Sequence, residues 1–373
     1  MSSAAVARIR LSALQNNLDR VRQAAPGCRV MAVVKTDAYG HGLETVSEAL
    51  EAADAFAVAR LEEGVRLRKS IRNKPIVILN AWTDQQDLAY AREHDLQLVV
   101  HDQAQIELLE SAPIGDSAGS GLVHVWLKID SGMGRLGVAP GDVQTSIGRL
   151  QACAATAPDL GLMTHLACAD EPDNPATQAQ IACFAETIGQ WDGDVSIANS
   201  AAVLAWPETL SVGTRLRYSG QNWVRPGLML YGVTPFTNRS AAELGLEPVM
   251  SFEGRLISVR ALSRGSRVGY GGDWLATRDS VLGVINVGYG DGYPWRLKGG
   301  ASVVINGSRV PVAGRISMDL ISLDLTDVPG ARIGDAAVLW GAEPDVVDLA
   351  QRAGTTPYEL LTGVGSRVKR ICD

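Results

Sequence analysis

Eight short apolar segments recur over the first 230 residues of the chain, and their spacing is what most constrains the fold. The segments are VMAVV (30–34), AFAVA (55–59), IVIL (76–79), LQLVV (96–100), VHVWLKI (123–129), LGLMTHL (160–166), VSIAN (195–199) and NWV (222–224). Stretches with helical spacing lie between most of them, for example 43–53, 61–71, 102–111 and 176–191. Apolar strands that alternate with amphipathic helices indicate βαβ units whose parallel strands are buried on both faces.

Eight such units within about 220 residues predict a (β/α)8 barrel. A doubly wound open sheet is the alternative arrangement for the same alternation of strands and helices. No GxGxxG motif opens the first strand–helix unit, which disfavours a dinucleotide site. We therefore predict an α/β fold in which the barrel comes first.

The pattern changes near residue 236. From about Val249 onward apolar and polar residues alternate between turn signals, which is typical of antiparallel strands. Asn306-Gly307 lies between two β-rich segments and predicts a hairpin, and one helix is predicted over roughly 345–353. The sequence thus predicts two domains, a barrel over 1–235 and a mainly antiparallel β domain over 236–373, with the first ten or so residues able to pack against the β domain.

The chain has 373 residues, with 34 lysines and arginines against 41 aspartates and glutamates, a net charge of −7. An acidic chain without a basic run disfavours nucleic acid and anionic membrane surfaces as partners. The five cysteines contain no CxxC pair and the five histidines no HxH or HxxxH spacing, so neither a disulfide framework nor a metal site is expected. With no signal-peptide pattern and no apolar stretch of about 18 residues, we expect a cytoplasmic enzyme.

Polar residues follow several of the predicted strands, at the end where a barrel carries its chemistry. These residues are Lys35, Lys128, Asp130, Arg135, His165, Asn199, Ser200 and Arg225.

Lys35 follows an apolar run directly, so its stem begins inside the barrel mouth. Partial desolvation lowers the pKa of a lysine and frees its amine to form a Schiff base or to abstract a proton. The alternative is a lysine that extends to solvent. Tyr39 and His41 follow in a glycine-bracketed turn that could approach an anionic cofactor. For His165, at the end of an apolar strand, the alternative is a hydrogen-bonded histidine of the core.

The segment RPGL (225–228) resembles a strand end that runs into a helix. Pro226 suits the first helical position, and the N–H groups of Gly227 and Leu228 would then form an anion site. A hydroxyl at 199–200 lies near the same rim, and ordinary helix capping is the alternative for each feature. A lysine together with phosphate-binding features around one barrel mouth favours pyridoxal phosphate.

Eight motifs occur in the order in which alanine racemases carry them: AVVKTDAYGHG, DSGMGRLGV, THLACAD, ANSAA, VRPGLMLYG, VGYGGDW, VGYGDGYPW and AGRISMD. The chain thus resembles the alanine racemase family over roughly residues 5–370. Two departures are visible. Thr36-Asp37 stands where many members have Ala-Asn, and Ser317 precedes Met318 where some members have cysteine.

The resemblance implies a barrel and a β domain, pyridoxal 5'-phosphate as the cofactor, and interconversion of L-alanine and D-alanine that supplies D-alanine for peptidoglycan. It also implies a homodimer in which the partner's β domain completes each barrel mouth. A broader amino-acid racemase, serine included, is the alternative. Two further alternatives are a decarboxylase of the same class and a non-enzymatic pyridoxal-phosphate carrier. A decarboxylase would not need a second base such as Tyr270 on the opposite face of the substrate, and such carriers lack the β domain.

By this resemblance Lys35 binds the cofactor as an aldimine and serves as one catalytic base, while Tyr270 from the partner subunit is the second. The cofactor-binding residues it implies, besides Lys35, are Tyr39, His165, Asn199, Ser200, Arg225, Gly227, Leu228 and Tyr358. Arg135 and the partner's Met318 would receive the substrate carboxylate. The supporting residues it implies are Lys128, which is often carbamylated in the family, Asp319 and Tyr289.

Racemisation explains why two bases are needed. One base removes the Cα proton from one face of alanine, and a second returns a proton to the other face. A free tyrosine has a pKa of about 10, so Tyr270 needs a cationic neighbour to act as a base near neutral pH. By family analogy, His165 and Arg225 supply that neighbour.

Overall fold

Eight parallel strands close into a barrel in the computed structural model, which describes residues 5–113, 121–211, 220–297 and 300–373. The first described strand, β1 (Val6–Ile9), lies outside the barrel. The barrel strands follow in chain order as β2 (Arg29–Val33), β3 (Ala55–Arg60), β4 (Ile76–Ala81), β5 (Gln97–Val100), β6 (Val125–Lys128), β7 (Gly161–Met163), β8 (Val195–Asn199) and β9 (Asn222–Arg225). Each predicted apolar segment contains or overlaps one of these strands, and the closed ring confirms the barrel over the open sheet.

Helices connect the strands around the outside of the barrel. They are α1 (Leu11–Ala24), α2 (Lys35–Tyr39), α3 (Leu43–Ala49), α4 (Leu61–Arg68), α5 (Gln85–Glu93), α6 (Gln103–Glu110), α7 (Val143–Ala152), α8 (Pro175–Ile188) and α9 (Ser200–Ala205). Asp84, Asp102 and Asn174 cap the N-termini of α5, α6 and α8 by accepting backbone N–H bonds, as short polar side chains do. No helix in the described part of the chain is long and apolar enough to cross a membrane.

The second sheet contains eight strands and is mainly antiparallel. Its strands are β1 together with β10 (Met250–Leu262), β13 (Ser280–Ile285), β14 (Ser302–Ile305), β15 (Ser308–Pro311), β16 (Ile321–Asp324), β17 (Ala336–Trp340) and β18 (Lys369–Cys372). The order is β15-β14-β17-β10-β1-β18, and β13 joins β10 to β16. Only the β1–β18 pair is parallel among the described strand pairs of this sheet. A small ribbon, β11 (Arg267–Val268) and β12 (Trp274–Leu275), stands apart.

The predicted hairpin at Asn306-Gly307 is confirmed. Strands β14 and β15 pair antiparallel across this dipeptide, and both residues have positive φ, 49° for Asn306 and 77° for Gly307. Two residues with positive φ match the twist of the flanking strands, which is why Asn-Gly is favoured here. The predicted helix near 345–353 is α10 (Val346–Ala353), and a second short helix that the sequence analysis missed, α11 (Pro357–Thr362), follows it.

Asn17 on α1 links the barrel to the segment that leads into the β domain. Its amide donates to the carbonyls of Leu230 (3.0 Å) and Glu247 (2.8 Å), and its side-chain oxygen accepts from the Glu247 amide (2.8 Å). The side chain is fully buried, so water cannot replace these bonds. The domain boundary at residues 235–236 remains a prediction of the sequence, while Asn17 shows how the segment that follows is tied to α1.

Asn17→Ala should lower the free energy of unfolding by about 2–4 kcal/mol, because it leaves buried backbone groups without partners. The neighbouring Asn16→Ala removes only an exposed bond to the Glu247 carboxylate and is the matched control. Urea unfolding of both variants measures the difference. Equal destabilisation by the two substitutions would contradict this role for Asn17.

Candidate active site

A cavity of about 520 Å³ opens at the carboxyl end of the barrel strands. The predicted site residues that line it are Lys35, Tyr39, Lys128, Arg135, His165, Asn199, Ser200, Arg225, Gly227, Leu228 and Tyr358. Strand ends place three of them: Lys128, Asn199 and Arg225 are the last residues of β6, β8 and β9. The fold therefore collects residues as far apart in the sequence as Lys35 and Tyr358.

Lys35 begins α2, which is a left-handed turn rather than an ordinary helix. Thr36, Asp37, Ala38 and Tyr39 all have φ between 53° and 55°. Non-glycine residues pay about 1–2 kcal/mol each for this conformation, so the surrounding structure must hold the turn in place. Burial and the nearby Arg135 guanidinium lower the pKa of the Lys35 amine, so near neutral pH a larger share of it is unprotonated, and able to accept a proton, than in a free lysine.

Tyr39 is buried at the wall of the cavity and approaches the backbone of Gly227. A Cβ atom at position 227 would lie 2.5 Å from the Tyr39 hydroxyl oxygen, so only glycine allows this approach. The Tyr39 ring stacks on Tyr231 at 4.7 Å and lies 6.0 Å from the ring of Tyr358 on α11. Burial raises the pKa of both tyrosines, that of Tyr358 to about 12. The hydroxyls of Tyr39 and Tyr358 therefore stay protonated and can donate hydrogen bonds.

The Ser200 hydroxyl accepts from the amides of Gly227 (2.9 Å) and Met229 (3.3 Å). A short 3₁₀ helix begins at Leu228, and Pro226 precedes it. The prediction that Pro226 occupies the first helical position is therefore wrong. The amide of Gly227 precedes the helix and is engaged by the hydroxyl of Ser200 at the start of α9. Asn199 caps α9 by accepting from the Ala202 amide, so its side chain has the structural role that capping provides.

Arg225 is buried in the barrel interior and has no carboxylate partner among the described residues. Its guanidinium donates to the Ser196 hydroxyl (2.5 Å) and the Thr164 carbonyl (2.5 Å), and lies 3.5 Å from Nδ1 of His165. Burial lowers the pKa of Arg225 to about 10, which still leaves it charged near neutral pH. The pKa of His165 falls to about 3, first through burial and then through the charge of Arg225, so this imidazole is neutral.

The cavity is strongly cationic. Burial and then the charges of Arg225, Arg135 and Lys35 lower the pKa of Lys128 to about 8. Asp170 is the one carboxylate among the described residues that line the cavity. Four cationic side chains, a hydroxyl cluster and a glycine that admits close approach of the backbone fit an anionic cofactor such as pyridoxal phosphate, with an amine placed to bind it covalently.

Met133 and Asp170 are among the residues of the cavity wall that the sequence analysis did not predict as site residues. Met133 lines the cavity together with Arg135. Asp170 ends the motif THLACAD, and its position after a strand end was the signal that could have identified it.

The other predicted residues, Tyr270, Tyr289, Met318 and Asp319, do not line this cavity. They lie in an exposed patch of the β domain, where Tyr270 is 71% exposed and Met318 is 54% exposed. The loop 315–319 organises the patch. Arg315 pairs with Asp273 beside the turn of Tyr270 (2.5 Å), and the carbonyl of Ser317 accepts from the amide of Tyr289 (3.0 Å).

Arg367 supports the same patch through two ion pairs. Its guanidinium pairs with Asp319 (2.6 Å) and with the buried Asp291 (2.7 Å). Asp291 in turn accepts from the amide of Gly288, so the loop that carries Tyr289 is fixed to this ion pair. We refer to Tyr270, Tyr289, Met318 and Asp319 as the exposed patch.

Comparisons with known proteins agree with one another. The family model "Alanine racemase, N-terminal domain" matches residues 9–235, and "Alanine racemase, C-terminal domain" matches residues 249–372. Alanine racemase of Vibrio cholerae is 45% identical over 366 residues, which cover 98% of this chain and 97% of that protein. Alanine racemase of Nitrosococcus oceani is 46% identical over 362 residues, with 97% of each chain covered.

Solved structures give the same result. The biosynthetic alanine racemase from Pseudomonas aeruginosa matches with a TM-score of 0.90 at 40% identity, covering 100% of this chain and 99% of that chain. The alanine racemase from Acinetobacter baumannii matches with a TM-score of 0.88 at 35% identity, and both chains are covered completely.

The neutral state of His165 should be visible in the pH dependence of stability. The unfolded histidine takes up a proton below about pH 6.5 and the folded one does not until about pH 3, so stability is lost as pH falls through this window. Between pH 7 and pH 5, His165→Asn should therefore lose about 2 kcal/mol less than the parent chain. Urea unfolding of the cofactor-free protein at both pH values measures this, with His94→Asn at the end of α5 as control. An unchanged pH dependence in His165→Asn would refute the assignment.

Proposed function

The chain belongs to the alanine racemase family, and from this premise we propose how its own residues interconvert L-alanine and D-alanine. The enzyme is a pyridoxal-phosphate-dependent isomerase, and its relatives favour alanine over the broader amino-acid range. The observation that carries the proposal is the cationic cavity at the barrel mouth, with the buried amine of Lys35 at its wall.

Lys35 would hold the cofactor through its amine, and the same amine would exchange the Cα proton on one face of alanine. Bound pyridoxal phosphate supplies an electron sink for the negative charge at Cα. The lowered pKa of Lys35 supports this role, since a base works best when its pKa lies near the working pH. Lys35 deprotonates D-alanine in this scheme, and Tyr270 of the partner subunit deprotonates L-alanine.

The phosphate of the cofactor would be held by hydroxyls and a backbone amide that converge at the cavity wall. Tyr39, Ser200 and Tyr358 offer hydroxyl donors, and Leu228 offers a backbone amide at the start of the 3₁₀ helix, while the Gly227 amide donates to the Ser200 hydroxyl and so orients it. The close approach of Tyr39 to Gly227 and the bonds from Ser200 to this segment hold these groups together. His165 and Asn199 also belong to the cofactor-binding wall. His165 lies against the guanidinium of Arg225, and Asn199 caps the N-terminus of α9.

Arg225 would face the ring nitrogen of the cofactor. An arginine can only donate a hydrogen bond, so it would leave that nitrogen unprotonated and the cofactor would supply a weaker electron sink. This would favour return of a proton to Cα and suppress transamination. The fixed bonds of Arg225 to Ser196 and Thr164 support this role because they prevent the guanidinium from turning away.

The substrate carboxylate binds to Arg135, assisted by Met318 of the partner subunit. Arg135 forms no ion pair with any described residue, so its charge is available to a substrate. Lys128 steadies Arg135, and its lowered pKa supports carbamylation, because a neutral amine reacts with carbon dioxide. A carbamate would convert a repulsive cation into an anion that attracts Arg135.

Two copies of the chain form a homodimer in which each exposed patch closes the partner's cavity. The exposure of Tyr270 and Met318 supports this, because contiguous exposed apolar and aromatic side chains are typical of interfaces. Asp319 and Tyr289 fix the shape of the patch through Arg367 and the loop 315–319. The enzyme acts in the cytoplasm, as its five unpaired cysteines suggest, and supplies D-alanine for peptidoglycan.

Mixed dimers test the shared site. Lys35→Ala and Tyr270→Phe should each abolish or nearly abolish exchange of the Cα proton of alanine in D₂O. When the two inactive variants are co-expressed, half of the dimers are mixed and each mixed dimer has one intact site, so roughly a quarter of the parent activity should return. Co-expression of two differently tagged Lys35→Ala chains is the control. If activity does not return, the cavity is not completed by a second chain.

Arg225→Glu tests the control of reaction type. A carboxylate at this position would favour a protonated ring nitrogen and a stronger electron sink, so transamination should rise while racemisation falls. The ratio of pyruvate formed to D-alanine formed from L-alanine measures the change. Arg225→Lys keeps a cation at the same place and is the control. An unchanged product ratio in Arg225→Glu would contradict the role given to Arg225.

A further inference from the structure

The left-handed turn of α2 carries two residues of the site, yet its own residues disfavour its conformation. Thr36 has a β-branched side chain and φ of 55°, and Ala38 with φ of 54° has no polar side chain to stabilise it. Lys35 precedes these residues and Tyr39 ends the turn. Other parts of the chain must therefore hold the turn in shape.

Glu63 holds the beginning of the turn. One carboxylate oxygen accepts from the amide of Thr36 (2.5 Å), and the other accepts from the amides of Ala59 (2.9 Å) and Arg60 (3.2 Å). Ala59 and Arg60 lie at the end of β3, so Glu63 in the first turn of α4 fixes the residue after Lys35 to the neighbouring barrel strand. A carboxylate is needed, since it accepts three N–H bonds at once and a neutral amide offers only one oxygen.

His41 holds the end of the turn. Its Nδ1 lies 2.9 Å from the carbonyl of Tyr39 and 3.0 Å from that of Ala38. Both partners are acceptors, so Nδ1 must carry the proton and donate to them. The ring is buried against Tyr231 at 4.6 Å, and Nε2 is buried without a partner, which the imidazole tolerates because burial lowers its pKa to about 4 and keeps it neutral.

Tyr231 contacts the end of the left-handed turn and the strand that precedes it. Its ring contacts both His41 and Tyr39, and its hydroxyl donates to the carbonyl of Val33 (3.1 Å), the last residue of β2. The turn is thus bounded by a carboxylate on one side and by an aromatic layer on the other. Neither Glu63 nor His41 lines the cavity.

We propose that Glu63 and His41 are positioning residues that together hold the left-handed turn, so that Lys35 and Tyr39 point into the cavity. This rests on the proposed roles of Lys35 and Tyr39 in binding the cofactor. The two residues act through the turn and touch neither cofactor nor substrate. Loss of the hydrogen bonds of either residue should release the turn. A glycine inside the turn should make those hydrogen bonds less necessary, because glycine adopts positive φ without strain.

The first experiment compares Glu63→Gln with Glu62→Gln, an exposed glutamate in the same helical turn. The dissociation constant of pyridoxal phosphate should rise about tenfold in Glu63→Gln, because bonds to a charged acceptor are lost, and stay unchanged in Glu62→Gln. The kcat should fall with the KM for alanine changed less than about twofold, since Arg135 is untouched. Equal cofactor affinity in the two variants would overturn the proposal.

A glycine rescue separates positioning from a general loss of structure. Thr36→Gly relieves the backbone strain at an exposed position and keeps the amide that Glu63 binds. The double variant Thr36→Gly with Glu63→Gln should recover most of the lost cofactor affinity, while Thr36→Gly alone should match the parent chain. A double variant that binds the cofactor no better than Glu63→Gln would overturn the proposal.

His41→Phe provides the second arm and serves if Glu63→Gln fails to fold. Phenylalanine keeps the ring contact with Tyr231 but cannot donate to the two carbonyls, so cofactor affinity should fall and Thr36→Gly should again restore it. An unchanged affinity of His41→Phe for pyridoxal phosphate would overturn the positioning role of His41. A failure of the proposed function would appear differently, as a parent chain that does not exchange the Cα proton of alanine or a Lys35→Ala variant that still binds the cofactor covalently.

Discussion

The pairing of β2 with β9 is the interaction on which the site depends. Arg29 and Val30 pair in parallel with Trp223 and Val224, and this contact closes the ring of strands. The same contact brings the turn after β2 beside the segment after β9, so that Tyr39 meets Gly227. An open sheet built from the same strands would leave these two segments at opposite edges. Closure therefore creates the active site as well as the core.

The second constraint on the site is the positive charge of Arg225, which is buried without a carboxylate partner among the described residues. Arg225 is buried with neutral partners only, and its bonds to a hydroxyl and a carbonyl offset part of the cost of removing it from water. Burial first, and the charge of Arg225 second, keep His165 neutral and lower the pKa of Lys128. The site is in this sense prepared for an anion before the anion binds, which is how a binding pocket reduces the reorganisation that its ligand would otherwise require.

The sequence predicted what short-range patterns determine. The barrel strands are continuous apolar runs because both of their faces are buried, and Asn306-Gly307 is the pair that its hairpin requires. The left-handed turn after Lys35 could not be predicted, because it depends on Glu63, 27 positions after Thr36. The helix α11 was missed because it is only six residues long. The roles of Tyr270 and Met318 came from the family resemblance, since nothing near them in the sequence points to a second chain.

The parallel pair β1–β18 joins the two ends of the described chain in one sheet, with Val6 opposite Lys369 and Ile9 opposite Cys372. During synthesis β1 emerges before the barrel, while all of its partners emerge after the barrel. A barrel that folds early must therefore leave β1 unpaired until β10 and β18 have been made, and in that interval β1 presents open edges that other strands could occupy. The order of synthesis and the order of assembly are opposed at this strand, because only strands made after the barrel protect it.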